Sequence, residues 1–161
     1  MGSQVFFALL RANTPFAIFN RMRETDSGSN DADSDRQVAD GPVLEGIDGL
    51  VNGESFPLEY GQTVIVGRSR SCEISLRRCP KWLDLSPADR EKEKDLKTVS
   101  RKHVRVSFYN ANSIEIEDLS SNGTFVDGKR IDRLLISDIK EKEHDILLGT
   151  RERLKLIWRG E

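Results

Sequence analysis

The sequence has few of the residues from which catalytic and metal sites are most often built. Its 161 residues include only two histidines and two cysteines. His103 and His144 lie far apart in the chain, and no serine, cysteine or carboxylate is spaced to form a recognisable triad or metal site with them. Cys72 and Cys79 have no histidines at the spacing of zinc ligands. We therefore expect a protein that is not an enzyme and that holds no metal or other cofactor.

Long hydrophobic runs are also missing. The two apolar stretches near the beginning of the chain, 5–10 and 16–19, are interrupted by Arg11 and Pro15, and the first is too short to cross a bilayer. No basic residue precedes the first stretch, so it makes a poor secretion signal. We expect a cytoplasmic protein, or a nuclear one in a eukaryote, in which both cysteines are reduced and half-buried.

The sequence lacks a strong charge of either sign. Lysine and arginine number 25 and aspartate and glutamate 27, so the formal net charge is −2. This balance argues against a general nucleic-acid or membrane binder, and any preference for anions must come from a local patch. The basic stretch 77–82 includes a tryptophan, but the acidic residues at 84–91 dilute it as a nucleic-acid surface.

The first 46 residues divide into two segments of different composition. Residues 1–22 contain the apolar stretches, whereas residues 23–46 are acidic and rich in serine, glycine and asparagine. The second segment cannot bury enough apolar surface to offset chain entropy, so we predict a flexible linker there. Two interpretations of the first segment stay open. It is a floppy tail, or residues 5–19 dock on the domain or on another copy of the chain.

From residue 47 onwards, short apolar stretches alternate with turns that carry glycine. Asn52-Gly53 is a strong hairpin signal, and the run 63–66 predicts a strand buried on both faces. No repeat and no alternation of strands with helices is present. The pattern predicts an all-β sandwich or barrel over residues 47–159.

One long loop interrupts the strand pattern. Residues 77–97 are longer than the other connections, and Ser86-Pro87 within them has the character of a helix start, with serine as the N-cap. The charged, helix-favouring residues 90–97 that follow predict a short surface helix inside this loop.

Hydrogen-bond donors without matching carboxylates follow several of the predicted strands. They occur in Gly67-Arg68, in 100–103 and in 121–123. A guanidinium offers a planar fork of donors and a serine hydroxyl offers one more, which is the chemistry of a bound phosphate. His103 lies among apolar neighbours, so we favour a neutral scaffold over a protonated phosphate ligand. Asn122 is either a turn residue or an amide that bonds the main chain of an extended peptide, and we favour the second.

This ordered set of motifs resembles the forkhead-associated (FHA) domain. The resemblance covers about residues 49–158, roughly two-thirds of the chain. It implies a β-sandwich of two twisted, mainly antiparallel sheets that binds phosphothreonine peptides through loops at one end and performs no catalysis. In this chain the sandwich would carry a short helix in a long inserted loop and an N-terminal extension.

The resemblance also implies a role for each residue of the motifs. Arg68 and Ser100 would hold the phosphate, and Arg101 would assist them or reach the ligand backbone. Ser121 would lie beside the phosphothreonine, and Asn122 would bond the flanking main chain.

Three further residues, Gly67, His103 and Gly123, would support the site structurally. The chain departs from the family pattern in having Asp127-Gly128 where Asn-Gly is common, and in the length of the 77–97 loop. Aspartate is an adequate turn residue, so we expect no loss of fold.

The expected partner is a protein carrying phosphothreonine, a substrate of a serine/threonine kinase. The alternative is a constitutive assembly module that associates through residues 5–19. A third interpretation joins the two. Thr25 lies on the linker, and once phosphorylated it would fold back onto the chain's own loops at high effective concentration.

Overall fold

The structure is a computed structural model that describes residues 40–160. Within that range, eleven strands form a six-stranded sheet of order β2-β1-β11-β10-β7-β8 and a five-stranded sheet of order β4-β3-β5-β6-β9. The strands are β1 Gly41–Asp48, β2 Ser55–Pro57, β3 Thr63–Gly67, β4 Ile74–Ser75, β5 Val104–Asn110, β6 Ser113–Asp118, β7 Thr124–Val126, β8 Lys129–Ile131, β9 Arg133–Ile136, β10 His144–Leu148 and β11 Glu152–Arg159.

The strand pairs are antiparallel except for β3 with β4. Strands joined by short turns pair as antiparallel neighbours, as β5 and β6 do, which explains why the turn-rich sequence forms this topology. The prediction of an all-β fold with two mainly antiparallel sheets is confirmed.

The core lies where alternate residues of both sheets point inward. Ile114 and Ile116 of the five-stranded sheet and Leu154 and Leu156 of the six-stranded sheet are buried. Each such side chain contributes about 1.5–3 kcal/mol by leaving water. Alternation of buried and exposed positions therefore fixes the register of the strands that carry the site.

The first strand begins earlier than the sequence suggests. β1 starts at Gly41, inside the 23–46 segment predicted to be a linker, and it pairs with β11 from Gly41 opposite Arg159. Val43 and Leu44 are buried in the core. The start of the sandwich therefore moves from residue 47 to residue 41, because its partner strand lies more than 100 residues away and leaves no local pattern. Residues 1–39, with the 5–19 segment and Thr25, lie outside the described residues.

Two further expectations about burial need correction. In β3, Val64 and Val66 are buried, but Thr63 is exposed and Ile65 only half-buried, so the strand is not buried on both faces. The outer face of its sheet is open to water at this strand.

The two cysteines are free, as expected, but fully buried instead of half-buried. Burial raises the pKa of the Cys79 thiol to about 12.

The long loop contains the predicted helix. α2, Pro87–Lys92, begins with Ser86 as its N-cap, whose hydroxyl oxygen accepts a hydrogen bond from the Asp89 backbone N–H at 3.1 Å. The helix is confirmed, although its α-helical part ends at Lys92 and a separate 3-10 turn, Asp95–Thr98, follows it.

The loop also contains one turn of helix that the sequence pattern did not reveal. In α1, Pro80–Leu83, Trp82 is buried with the guanidinium carbons of Arg77 and Arg90 at 5.7 and 5.3 Å from its ring centroid. This tryptophan anchors the loop on the core. Neither α1 nor α2, nor any other helix in residues 40–160, has the length and apolar character needed to cross a membrane.

A buried carboxylate ties the first turn of the sandwich to β11. Glu152 is fully buried, and its Oε1 accepts hydrogen bonds from the backbone N–H groups of Leu50 at 2.8 Å and Val51 at 3.3 Å. Burial raises the pKa of Glu152, and the guanidinium of Arg151 opposes that shift. Gly49 has a φ of +81°, and a Cβ there would come within 2.4 Å of the Glu152 carboxylate.

We expect Gly49→Ala to lower the free energy of unfolding by about 3 kcal/mol. The backbone would be strained by about 1–2 kcal/mol, and the buried carboxylate would be displaced from its donors at a further cost of about 1–3 kcal/mol. Gly53→Ala is the matched control, since Gly53 also has a positive φ of +92° but no atom within 4 Å of an added Cβ. Urea denaturation measures both. Equal losses in the two variants would contradict the role given to Glu152.

Candidate functional site

Three loops at one end of the sandwich surround an open cavity of about 610 Å³, which we call the loop cavity. Its lining comes from the β3–β4 loop, from the segment before β5 and from the β6–β7 loop. The lining residues are Arg68, Ser69, Ser71, Ser100, Arg101, Lys102, Leu119 and Ser121. Three of these eight are cationic, four carry hydroxyl groups and none is a carboxylate, so the lining offers donors for an anion.

Backbone pairing brings the first two of these loops together. The Arg68 N–H donates to the Ser100 carbonyl at 3.1 Å, and the Ser69 N–H donates to the Arg101 carbonyl at 3.0 Å. These bonds extend the pairing of β3 with β5 past the ends of both strands. Gly67 permits the approach, because a Cβ at that position would lie 2.2 Å from the Arg101 carbonyl oxygen.

The Arg68 side chain is held in place by the protein. Its Nε donates to the Val99 carbonyl at 2.9 Å. This bond fixes the plane of the guanidinium and leaves the two terminal amino groups for a ligand. In residues 40–160, neither Arg68, Arg101 nor Lys102 forms an ion pair with a carboxylate.

The Ser100 hydroxyl is oriented by the neighbouring loop. Its oxygen accepts a hydrogen bond from the Ser121 backbone N–H at 3.0 Å. Because an acceptor site of the oxygen is occupied, the hydroxyl hydrogen can be donated to a ligand in the cavity. The same contact fixes Ser121 at the edge of the cavity.

His103 lies beneath the site and joins two of its loops. It is fully buried; its Nδ1 accepts from the Ser100 N–H at 3.0 Å, and its Nε2 donates to the Gly123 carbonyl at 2.9 Å. One ring nitrogen accepts and the other donates, which is the pattern of a neutral imidazole. Burial lowers the pKa of His103, in agreement with that state. Gly123 provides both the acceptor and a turn with a φ of +104°.

Asn122 is exposed beside the cavity but does not line it. Its Nδ2 donates to the Thr98 carbonyl at 2.8 Å. Thr98 is held in turn, since its hydroxyl donates to the Asp95 carbonyl at 2.6 Å and accepts from the Thr150 N–H at 3.1 Å. The structure therefore brings four of the predicted binding residues to the cavity and places Asn122 on the rim, bonded to the last turn of the long loop.

Sequence reasoning missed several residues of the site. Ser69, Ser71 and Lys102 line the cavity. Arg78 holds the β3–β4 loop from behind, donating to the carbonyls of Cys72 at 2.7 Å, Glu73 at 2.8 Å and also residue 70. In the sequence Arg78 is one member of a basic stretch, and no local signal shows which carbonyls its guanidinium reaches.

Comparison with known proteins agrees with this geometry. A family model described as FHA domain matches residues 64–148, more than half of the chain. The crystal structure of the FHA domain of the CT664 protein from Chlamydia trachomatis is 27% identical, with a TM-score of 0.54 over 74% of this chain and 98% of that one. The solution structure of the FHA domain of an Arabidopsis thaliana hypothetical protein is 22% identical, with a TM-score of 0.55 over 85% and 97%.

A search of curated protein sequences finds no match to this chain. The family model covers β3 to β10, which include the three loops of the cavity, and the relatives match the sandwich over nearly their whole length. The chain therefore belongs to the FHA domain family.

Proposed function

We propose that this FHA domain is a phosphorylation-dependent interaction module that binds phosphothreonine peptides in the loop cavity. The observation that carries the proposal is a cavity with three cationic side chains, a preoriented serine hydroxyl and no carboxylate among its lining residues. Arg68 is half-buried, whereas Arg101 and Lys102 are exposed. Three positive charges grouped in one cavity without a carboxylate raise the local positive potential, which attracts an anion from solution.

Arg68 and Ser100 are the proposed phosphate ligands. The terminal amino groups of Arg68 match the geometry of two phosphate oxygens, and the Nε bond to Val99 reduces the side-chain entropy lost on binding. Ser100 donates its hydroxyl to a third oxygen. Each charge-assisted bond contributes roughly 1.5–3 kcal/mol net, so two or three support a moderate affinity once ordering costs are subtracted.

Arg101, Ser121 and Asn122 are the proposed contacts to the rest of the peptide. Arg101 lines the cavity and is exposed, so it can reach the phosphate or the ligand backbone. Asn122 uses one N–H for Thr98, and its amide retains a second N–H and an oxygen acceptor for a peptide main chain. Gly67, His103 and Gly123 hold these residues in place.

The remaining parts of the proposal concern partners. The ligand is a protein phosphorylated by a serine/threonine kinase, in the cytoplasm, and the domain needs neither nucleic acid nor a membrane. Binding involves no catalytic step. No observation on residues 40–160 favours the alternative of a constitutive assembly module over phosphopeptide binding.

Arg68→Ala is expected to weaken binding of a phosphothreonine peptide by roughly tenfold to a hundredfold, the loss of one strong charge-assisted contact. Arg70→Ala is the matched control. It removes the same charge from the same loop, but its side chain does not line the cavity, so affinity should stay within about twofold. Isothermal titration calorimetry measures both variants against the same peptide.

The unphosphorylated peptide and a threonine-to-glutamate peptide complete this experiment. Both should bind far more weakly. The unphosphorylated threonine carries no charge, and glutamate carries one charge where phosphate carries about 1.5–2. Equal affinity of the wild-type protein for phosphorylated and unphosphorylated peptide would reject the proposed function.

His103 predicts a pH dependence of stability. Because burial lowers the pKa of folded His103 below its unfolded value, the unfolded chain binds more protons between the two values. The contribution of neutral His103 is therefore complete above about pH 7 and is lost as pH falls below about 6.5 towards the folded pKa.

His103→Gln should reduce the free energy of unfolding at neutral pH by about 2–4 kcal/mol, since the Ser100 N–H and the Gly123 carbonyl lose a well-placed partner. The variant should also show a smaller change in that free energy than the wild type between about pH 7.5 and pH 5. Urea denaturation at a series of pH values measures both quantities. Parallel pH profiles would show that His103 does not titrate with the proposed sign.

A further inference from the structure

The loop cavity carries more positive charge than one phosphate neutralises. Arg68, Arg101 and Lys102 supply three cations, whereas a phosphothreonine side chain carries about −1.5 to −2 at neutral pH. A ligand with one phosphate and no other charge would therefore leave about one positive charge unbalanced in the occupied cavity.

Carboxylates next to the cavity loops do not supply the missing negative charge. Glu73 is the last residue of the β3–β4 loop, and its Oε1 accepts from the Ile65 N–H at 2.8 Å. Asp118 precedes Leu119, and its Oδ1 accepts from the hydroxyls of Ser120 at 2.6 Å and Thr124 at 2.8 Å. Neither carboxylate lines the cavity, so an anionic group of the ligand can pair with these cations without competition from a lining carboxylate.

The cavity also has more room than one phosphate fills. A cavity needs about 10–15 Å³ to hold one water molecule, so the five heavy atoms of a phosphate take roughly 50–75 Å³. The cavity measures about 610 Å³ and includes Ser69 and Ser71, whose hydroxyl oxygens lie 2.9 Å apart. These hydroxyls offer hydrogen-bonding groups beyond those proposed for the first phosphate.

Lys102 is the cation that the first phosphate leaves unused. Arg68 and Ser100 face the phosphate in the proposed function, and Arg101 assists them. Lys102 lines the same cavity, is exposed and has a backbone held between Arg101 and the buried His103. A lysine ammonium is a compact charge on a flexible stem, so it can follow an anionic group whose position varies between ligands.

Resting on the proposed function, we propose that this domain selects phosphothreonine peptides that carry a second anionic side chain near the phosphothreonine, and that Lys102 is the residue that selects it. The second group is a carboxylate or another phosphate, since either provides a negative charge to pair with the Lys102 ammonium. A cavity of about 610 Å³ is roughly 10 Å across, and an extended peptide advances about 3.3 Å per residue, so the second group lies within about three residues of the phosphothreonine.

The experiment uses three kinds of phosphothreonine peptide, all of identical length. In the first every flanking residue is neutral, in the second aspartate is placed in turn at each flanking position, and in the third phosphoserine replaces that aspartate. Calorimetry compares wild type, Lys102→Gln, Lys102→Arg and Lys129→Gln. Lys129 is an exposed lysine on β8 that does not line the cavity, so its variant controls for the loss of one positive charge.

We expect wild type and Lys129→Gln to prefer the best aspartate peptide over the neutral peptide by roughly fivefold, and the phosphoserine peptide by more. Lys102→Gln should lose most of this preference, measured as the ratio of its own affinities for the aspartate and neutral peptides, so that a loss common to both peptides cancels. Lys102→Arg should retain the preference, because it keeps the charge. High salt should reduce the preference in every protein that shows it.

The outcomes separate this inference from the proposed function. If the wild type binds the neutral phosphothreonine peptide but shows no preference for a second anion, or if Lys102→Gln keeps the preference, only the inference is overturned. If the wild type does not distinguish phosphothreonine from threonine in any peptide, the proposed function fails and the inference fails with it.

Discussion

The site depends on the pairing of backbone between the end of β3 and the segment before β5. The Val66 carbonyl accepts from the His103 N–H at 2.9 Å, and the next bonds join residues 68 and 69 to Ser100 and Arg101. This short ladder places an arginine and a serine from distant parts of the chain at the same edge of the sandwich. It requires glycine at position 67, because the backbone of the opposite segment occupies the space of a side chain. The register of β3 against the segment before β5 therefore determines where Arg68 and Ser100 lie relative to each other.

The site separates buried groups from charged ones. His103 is buried and neutral, and it joins the loops by accepting from one backbone group and donating to another. The cations, by contrast, lie on the exposed or half-buried surface of the cavity, where water stabilises them until a ligand arrives. A protonated imidazole beneath the loops would lack water and would lose its role as acceptor for Ser100. The neutral, buried His103 can therefore support the loops while the exposed cations nearby attract the ligand.

The long loop before the site is held against the domain at both of its ends. Trp82 is buried in the core with two guanidinium groups near its ring. Thr98 accepts from Asn122 through its carbonyl and from Thr150 through its hydroxyl. The Arg78 guanidinium stabilises the β3–β4 loop by donating to the carbonyls of Cys72 and Glu73. These anchors allow extra residues between β4 and β5 without loss of the register that places Ser100, because loop length alone adds little to the entropic cost of closure.

The sequence alone determined the features that depend on neighbouring residues. Turns with glycine, the alternation of apolar residues in β5 and β6 and the N-cap at Ser86 are local patterns, and they predicted the all-β fold and the short helix. The candidate site was predicted from the ordered set of Arg68, Ser100 and Asn122, through its donor chemistry and its resemblance to the FHA domain. Only the tertiary structure decided the start of β1 at Gly41, the burial of the cysteines, the engagement of Asn122 by Thr98 and the presence of Lys102 in the cavity. Each of these depends on a contact between segments distant in the chain. The residues next to a side chain in the sequence do not show which distant segment packs against it.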